Sequence, residues 1–239
     1  MLLKEIAPMP PVKDVKLTSQ QTLNRLEKAG GIHLGGGSFG DVYAFDKPTK
    51  ANTVFKYFSL SNENDGYLAF LRTFIHDQRR LNNPYLPRIY SLKLFKEPMD
   101  PDSESENEKK EQLFGRVEME RLVEIEDPRF LDVNLLKSLY EQMFYGSIPS
   151  IGSRQTQEDK DAVLANNILL EIVHNIKRAL RADDPSALIK IKDPDLKNAI
   201  RYIKTAAARF SGYVDLHPGN VMWRITGTRP QLVITDPLV

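Results

Sequence analysis

The sequence predicts an α+β fold in which a strand-rich first half is followed by a helix-rich second half. Residues 32–60 and 88–122 contain short apolar or alternating runs separated by turn residues, which is typical of antiparallel strands. Residues 64–81 and much of 128–210 have apolar residues at the three- and four-residue spacing of amphipathic helices. No internal repeat is visible, and the pattern changes near residues 125–128. We therefore expect one strand-rich and one helix-rich unit.

Composition excludes several classes of protein. The 239 residues, 41% of them hydrophobic, are enough for one large or two small globular domains. A formal net charge of +1 gives no general attraction to nucleic acid or anionic membranes, and the absence of cysteine excludes disulfides and thiolate metal sites. No apolar run approaches about 18 residues, so we expect no membrane span. Because no secretory signal is apparent, we expect a cytoplasmic protein, either in the producing cell or in a host cell after delivery.

The elements of the first half follow from turn and capping residues. Thr18-Ser19-Gln20-Gln21 offers a helix cap and Gly30-Gly31 a helix end, so residues 1–31 are predicted to be an N-terminal extension with a short helix. The next segments are predicted in this order: strands at 32–34, 41–45 and 53–58, a helix at 64–81, a strand at 88–95, an acidic solvated loop at 97–112 and a strand at 113–122.

The second half is predicted to be mainly helical and to end in short strands. The predicted segments are helices at 131–144, 162–182 and 196–210, a polar linker at 146–161, and strands and turns over the last 27 residues. The predicted domains are therefore the extension at 1–31, a strand-rich unit at 32–125 and a helical unit at 126–239.

A glycine motif lies between the first two predicted strands. Gly35, Gly37, Gly40 and Val42 match the pattern G-x-G-x-x-G-x-V. Glycines allow a hairpin backbone to approach phosphate oxygens without a Cβ clash. The strand that follows favours a phosphate-covering flap over a dinucleotide-binding turn, which would open a helix. An ordinary glycine-rich hairpin is the alternative.

Lys56 lies on the apolar third strand, and a lysine that points inward there needs an anionic partner. Phosphate together with a helix carboxylate would supply one, and the candidate carboxylates are Asp65, Glu63 and, further along, Asp77. A lysine on an edge strand facing water is the alternative. Residues 117–122 alternate and then enter a linker, which suits a strand that binds a nucleotide base through Met119, Glu120 and Leu122. An ordinary amphipathic strand explains them nearly as well.

Three polar residues near the C-terminus complete the candidate site. Asp215 and Asn220 have the D-x-x-x-x-N spacing at which the aspartate accepts a hydroxyl proton and the asparagine binds a metal. Asp236 follows a buried strand and is the second candidate metal ligand. The alternatives are turn chemistry at His217-Pro218-Gly219-Asn220 and a turn aspartate before Pro237.

The order of these patches resembles that of the protein kinase superfamily. The similarity is strongest to the early protein kinase of short-tailed coliphages and extends to small bacterial effector kinases. It implies a bilobal protein kinase-like fold with a β-rich N-lobe and a reduced helical C-lobe, and ATP and Mg²⁺ as cofactors. It also implies that Lys56 is the strand-three lysine, Asp215 the catalytic aspartate, and Asn220 and Asp236 the metal ligands.

The resemblance implies a serine/threonine kinase acting on a protein substrate, and three features leave alternatives open. Residues 215–220 also resemble the corresponding loop of aminoglycoside and choline kinases, which act on small molecules. Tyr213-Val214 and Pro237-Leu238 depart from the His-Arg and Phe-Gly of typical protein kinases. The chain ends at Val239, so we expect no activation segment. A small-molecule kinase and a nucleotide-binding pseudokinase acting through a partner are therefore the alternatives, and the oligomeric state is not predicted.

Overall fold

The computed structural model describes most of the chain in two compact units. The first comprises Met1–Arg79 with Arg88–Arg121, and the second comprises Arg80–Pro87 with Leu122–Val239. The residues described are 24, 26–37, 40–45, 52–60, 66–98, 111–125, 132–148, 157–181, 185–210, 214, 216–226 and 229–235. Asp215 and Asp236 are thus outside the described residues. No described helix is long and apolar enough to cross a membrane.

The first unit is built on a five-stranded sheet in which every neighbouring pair is antiparallel. The strand order is β1-β2-β3-β5-β4, so β3 is the central strand. A helix, α1, follows β3 and ends at Leu81, before Asn82 adopts a positive φ of 40°. The elements are β1 (Gly31–Gly37), β2 (Gly40–Phe45), β3 (Thr53–Leu60), α1 (Gly66–Leu81), β4 (Ile89–Pro98) and β5 (Glu111–Glu120).

The two faces of this sheet bury different side chains. The register pairs Val42 with Lys56 and Lys56 with Val117, so these residues share one side, which we call the Lys56 face. On this side Tyr67 of α1 stacks edge to face on Phe58, with ring centroids 5.2 Å apart. The opposite face packs an apolar cluster that includes Leu26 from the N-terminal extension. Its other buried members are Tyr43, Phe45, Phe55 and Tyr57.

The second unit combines helices with a small antiparallel sheet. Trp223, at the centre of that sheet, is fully buried, and its indole N–H donates to the carbonyl of Ile125 at 3.0 Å. The buried Arg224 donates to the carbonyls of Pro84 and Leu86 and so holds the segment before β4 against this sheet. The elements are β6 (Val123–Glu124), α2 (Val133–Met143), α3 (Gln157–Leu180), α4 (Pro185–Ile189), α5 (Pro194–Phe210), a 3₁₀ turn (Pro218–Asn220), β7 (Val221–Thr226) and β8 (Arg229–Ile234).

Asp193 fixes the start of α5 and a neighbouring tyrosine at the same time. Its Oδ1 accepts from the backbone N–H groups of Asp195 (2.8 Å) and Leu196 (3.0 Å), which have no partner within the helix. Its Oδ2 accepts from the Tyr85 hydroxyl at 2.8 Å. Burial raises the pKa of Tyr85 well above its ordinary value, and the hydrogen bond to Asp193 raises it further. One carboxylate therefore links α5 to the segment before β4.

The predicted elements of the described regions are confirmed, and their limits need correction. The polar linker predicted at 146–161 is wrong at its end, because α3 begins at Gln157. The loop predicted at 97–112 is shorter, since β4 reaches Pro98 and β5 starts at Glu111. The elements α4 and β6 were not predicted. Of the helix predicted in the N-terminal extension, residue 24 and residues 26–28 are helical, and residues 18–21 lie outside the described part.

Candidate functional site

The glycine motif forms the tip of the β1–β2 hairpin, and its glycines are there for different reasons. Gly37 pairs with Gly40 in the last rung of the ladder. Gly40 has a φ of 145°, and a Cβ at this position would overlap the carbonyl oxygen of Tyr57, so packing alone requires glycine. A Cβ at Gly35 would meet no described atom within 4 Å. Packing among the described residues therefore leaves the glycine at 35 unexplained, whereas close approach of a ligand would explain it.

Lys56 is buried at the centre of the sheet. Its neighbours across the ladder are Val42 on β2 and Val117 on β5, and its relative exposure is 8%. The alternative of an edge-strand lysine facing water is therefore wrong. The ammonium Nζ lies 5.0 Å from the centre of the Tyr67 ring, within the range of a cation–π contact.

The position of Tyr67 bears on which carboxylate could accompany Lys56. Tyr67 is in the first turn of α1, whereas Asp77 is ten residues further along and so about 15 Å away along the helix axis. Asp77 also lies beside His76, with Oδ1 and Nδ1 3.6 Å apart. The contact with Tyr67 therefore places the ammonium beside the first turn of α1. Asp65 and Glu63, just before the helix, are outside the described residues.

The end of β5 carries the candidate base-binding residues. Met119 is buried and pairs with Val54, two residues before Lys56, so its side chain is on the Lys56 face. The backbone N–H of Glu120 donates to the Arg88 carbonyl at 2.9 Å, and its carboxylate accepts from the Arg88 N–H at 2.7 Å. That N–H and one carboxylate oxygen already bind Arg88, directly before β4, so the N–H serves a ligand only if this contact breaks. Leu122 is half-buried and lies directly before β6.

Asn220 ends a short turn that the preceding residues fix. His217 caps this turn, its Nδ1 accepting from the Gly219 N–H at 3.2 Å. A Cβ at Gly219 would come within 3.0 Å of the His217 ring, so glycine allows the ring to lie against the backbone. Asn220 is 9% exposed, and its N–H donates to the His217 carbonyl at 2.9 Å. The catalytic candidate, Asp215, lies outside the described residues.

The β7–β8 hairpin brings Asn220 to the residue that precedes Asp236. Val221 pairs with Ile234, and one step outward the Thr235 N–H donates to the Asn220 carbonyl at 2.9 Å. Asp236 is the next residue in the sequence. Asp236 itself is outside the described residues. Among the residues that are described, no three histidine or acidic side chains are grouped as metal ligands.

The candidate residues thus form one set in each unit. In the first unit, Val42, Lys56 and Met119 share one face of the sheet beside the glycine hairpin. In the second unit, the hairpin places Asn220 beside Thr235. Sequence reasoning did not identify Tyr67, Thr235 or the capping role of His217. Only the pairing of Thr235 had a signal in the sequence, which was the turn at Thr226-Gly227-Thr228.

Comparisons with known proteins find similarity to solved structures and no sequence relative. No protein-family model matches the chain, and no curated protein matches it. Among solved structures, the chain is similar to the kinase domain of PknI from Mycobacterium tuberculosis, with a TM-score of 0.32 and 14% sequence identity. That alignment covers 87% of this chain and 60% of the PknI chain. The proposal below therefore depends on the residues of this chain.

Proposed function

We propose that this protein is an ATP-dependent phosphotransferase, most specifically a serine/threonine protein kinase. The observation that carries the proposal is Lys56. Lys56 is buried on the central strand of the sheet, where a charge is costly unless it is paired, and nucleotide phosphates are anions that a lysine binds. In protein kinases the lysine that contacts the nucleotide phosphates is on the third strand of a sheet with a glycine-rich hairpin. Lys56 occupies that strand here.

The first unit would hold the nucleotide. Gly35 and Gly37 would let the hairpin backbone approach the phosphates, and Lys56 would neutralise their charge. Val42 and Met119, on the same face as Lys56, would contact the base. Asp65 or Glu63, just ahead of Tyr67, would orient the lysine. ATP is the substrate that these residues fit best.

The second unit would supply the metal ligands and the base. Asn220 offers an amide oxygen and Asp236 a carboxylate, which are the oxygen ligands that Mg²⁺ prefers. The bond from Thr235 to Asn220 supports this assignment, because Thr235 directly precedes Asp236 in the sequence. When bound, Mg²⁺ supplies positive charge against the phosphate oxygens.

The transfer step needs only a base and correct positioning. A serine or threonine hydroxyl oxygen forms a bond to the γ-phosphorus while the bond from that phosphorus to the β–γ bridging oxygen breaks, which leaves ADP. The hydroxyl proton passes to the Asp215 carboxylate and then to solvent. Asp215 would thus orient the hydroxyl and remove its proton, while Lys56 would hold the phosphates in place.

The test is transfer of labelled γ-phosphate from Mg-ATP to a basic protein, to a set of small alcohols and to the chain itself. We expect Asp215→Asn to lower transfer by about 10²-fold or more, because it removes the general base. Asp195→Asn, which changes an exposed carboxylate in the first turn of α5, is the matched control and should retain wild-type transfer. Equal transfer by the Asp215 variant and the wild type would refute this role. Label on a small alcohol alone would favour a metabolite kinase.

A further inference from the structure

A cavity of about 550 Å³ in the second unit lies between α3 and the loop that directly follows Asp215. Leu216 and His217 line it from the loop, and one side of α3 lines it opposite. The residues of α3 that line it include Leu170, Glu171, His174 and Lys177. None of these residues has a part in the chemistry proposed above, although the loop connects them to the candidate base.

The shape of the cavity suits an extended chain segment. Its lining on α3 runs from Asn167 to Lys177, which is about 15 Å along a helix axis and matches four or five extended residues. Its wall includes the buried side chain of Leu216 and also Leu170, which is 47% exposed. An elongated groove with an apolar wall and polar edges is better suited to a peptide than to a compact metabolite.

The charges along this groove are not balanced internally. Within the described parts of the chain, neither the Lys177 ammonium nor the His174 ring has a hydrogen bond or an ion pair. The carbonyls of Ala179, in the last turn of α3, and of Arg181, directly after the helix, accept from Lys204 instead, at 3.4 and 3.1 Å. Lys177 is therefore not needed as a hydrogen-bond donor to these carbonyls. The end of the groove formed by His174 and Lys177 consequently favours an anionic side chain.

The remaining polar groups of the groove are already fixed. Glu171 accepts from the Asn175 side chain at 3.1 Å and lies near the middle of the lining on α3, six residues before Lys177. His217 accepts at Nδ1 from the Gly219 N–H, so its neutral ring carries the proton on Nε2 and is a donor. The groove thus has one acidic group, which is hydrogen-bonded within the protein, and one basic end.

We propose that this groove binds the acceptor protein, through a segment that carries an acidic residue within a few positions of the phosphorylated serine or threonine. The acidic residue would lie at the His174–Lys177 end. We expect the acidic residue within a few positions of the serine because the groove adjoins the proposed base: Leu216 lines the groove and is bonded directly to Asp215. This inference rests on the proposed function, and its test is therefore designed to separate the two.

Peptide binding to the full chain tests the groove without any chemistry. Two fluorescent peptides, with alanine in place of the acceptor serine, carry either Asp and Glu or Asn and Gln at the flanking positions. We expect the acidic peptide to bind about tenfold more tightly by anisotropy at low salt, with the difference shrinking at high salt. Lys177→Glu should abolish this preference. Lys190→Glu, an exposed site in the same unit and outside the groove, should retain it.

Each outcome decides between the two proposals. Equal binding of both peptides, or equal effects of the Lys177 and Lys190 variants, would overturn the groove proposal. If Lys177→Glu does not fold, Lys177→Gln replaces it, and an unchanged preference in that variant would overturn the proposal equally. Competition by small phosphorylated alcohols without any peptide binding would also overturn it. A Lys177-dependent preference without phosphate transfer would retain the acidic-peptide groove and refute the kinase proposal.

Discussion

Replacing Lys56 with methionine tests the proposed nucleotide site most directly. Methionine keeps the unbranched stem of lysine and can fill the space beside Tyr67, while the charge is lost. At 8% exposure the ammonium is largely shielded from water. A unit charge about 4 Å from a phosphate charge contributes about 4 kcal/mol at an effective dielectric constant of about 20. Since about 1.4 kcal/mol corresponds to a factor of ten, kcat/KM for ATP should fall about 10³-fold.

The control for this experiment lies on the other face of the same sheet. Lys93 is half-buried on β4 and follows Leu92, which pairs with Val117 of the Lys56 face, so Lys93 points the opposite way. Lys93→Met should leave kcat/KM near wild type. Steady-state kinetics and urea unfolding of both variants separate loss of function from loss of fold. A fall of less than threefold for Lys56→Met, or an equal fall for Lys93→Met, would show that the buried charge does not act on the nucleotide.

Three further predictions address the hairpin and the anchor of α5. Gly40→Ala should lower the free energy of unfolding by about 2 kcal/mol or more, because the new Cβ meets the Tyr57 carbonyl. Gly35→Ala should unfold like wild type yet raise the KM for ATP, and an unchanged KM would remove Gly35 from the site. Asp193→Ala should cost about 2–4 kcal/mol, from a lost helix cap and the loss of the carboxylate that accepts from the Tyr85 hydroxyl. Urea unfolding measures this, and a cost under about 1 kcal/mol would contradict the dual role.

The strands and long helices of the described regions could be predicted because their apolar residues are periodic. The start of α3 was missed because this signal is absent there. Residues 157–161 have the sequence Gln-Glu-Asp-Lys-Asp and contain no apolar residue that could show a period. The five-residue α4 and the two-residue β6 are too short for any pattern to emerge. Tertiary packing determines these three features, and a single sequence does not display it.

The sequence was enough to propose the residues of the candidate site, but it predicts only some of the contacts between them. The pairing of Asn220 with Thr235 follows from the predicted turn, because Thr226 pairs with Arg229 and each step away from a two-residue loop fixes the next pair. The contact of Lys56 with Tyr67 depends on how α1 lies on the sheet. No spacing along the chain reveals that angle, so the contact with the ring could not be foreseen.

The glycines differ in whether packing requires them, so a glycine motif alone does not show which of its residues bind a ligand. Gly40 and Gly219 satisfy the packing of their own surroundings, since a Cβ would meet the Tyr57 carbonyl in one case and the His217 ring in the other. Either glycine would be required in a protein that binds no nucleotide. Gly35 has no such neighbour among the described residues, so its own packing does not require glycine. Replacement of Gly35 therefore tests ligand binding, whereas replacement of Gly40 or Gly219 tests packing.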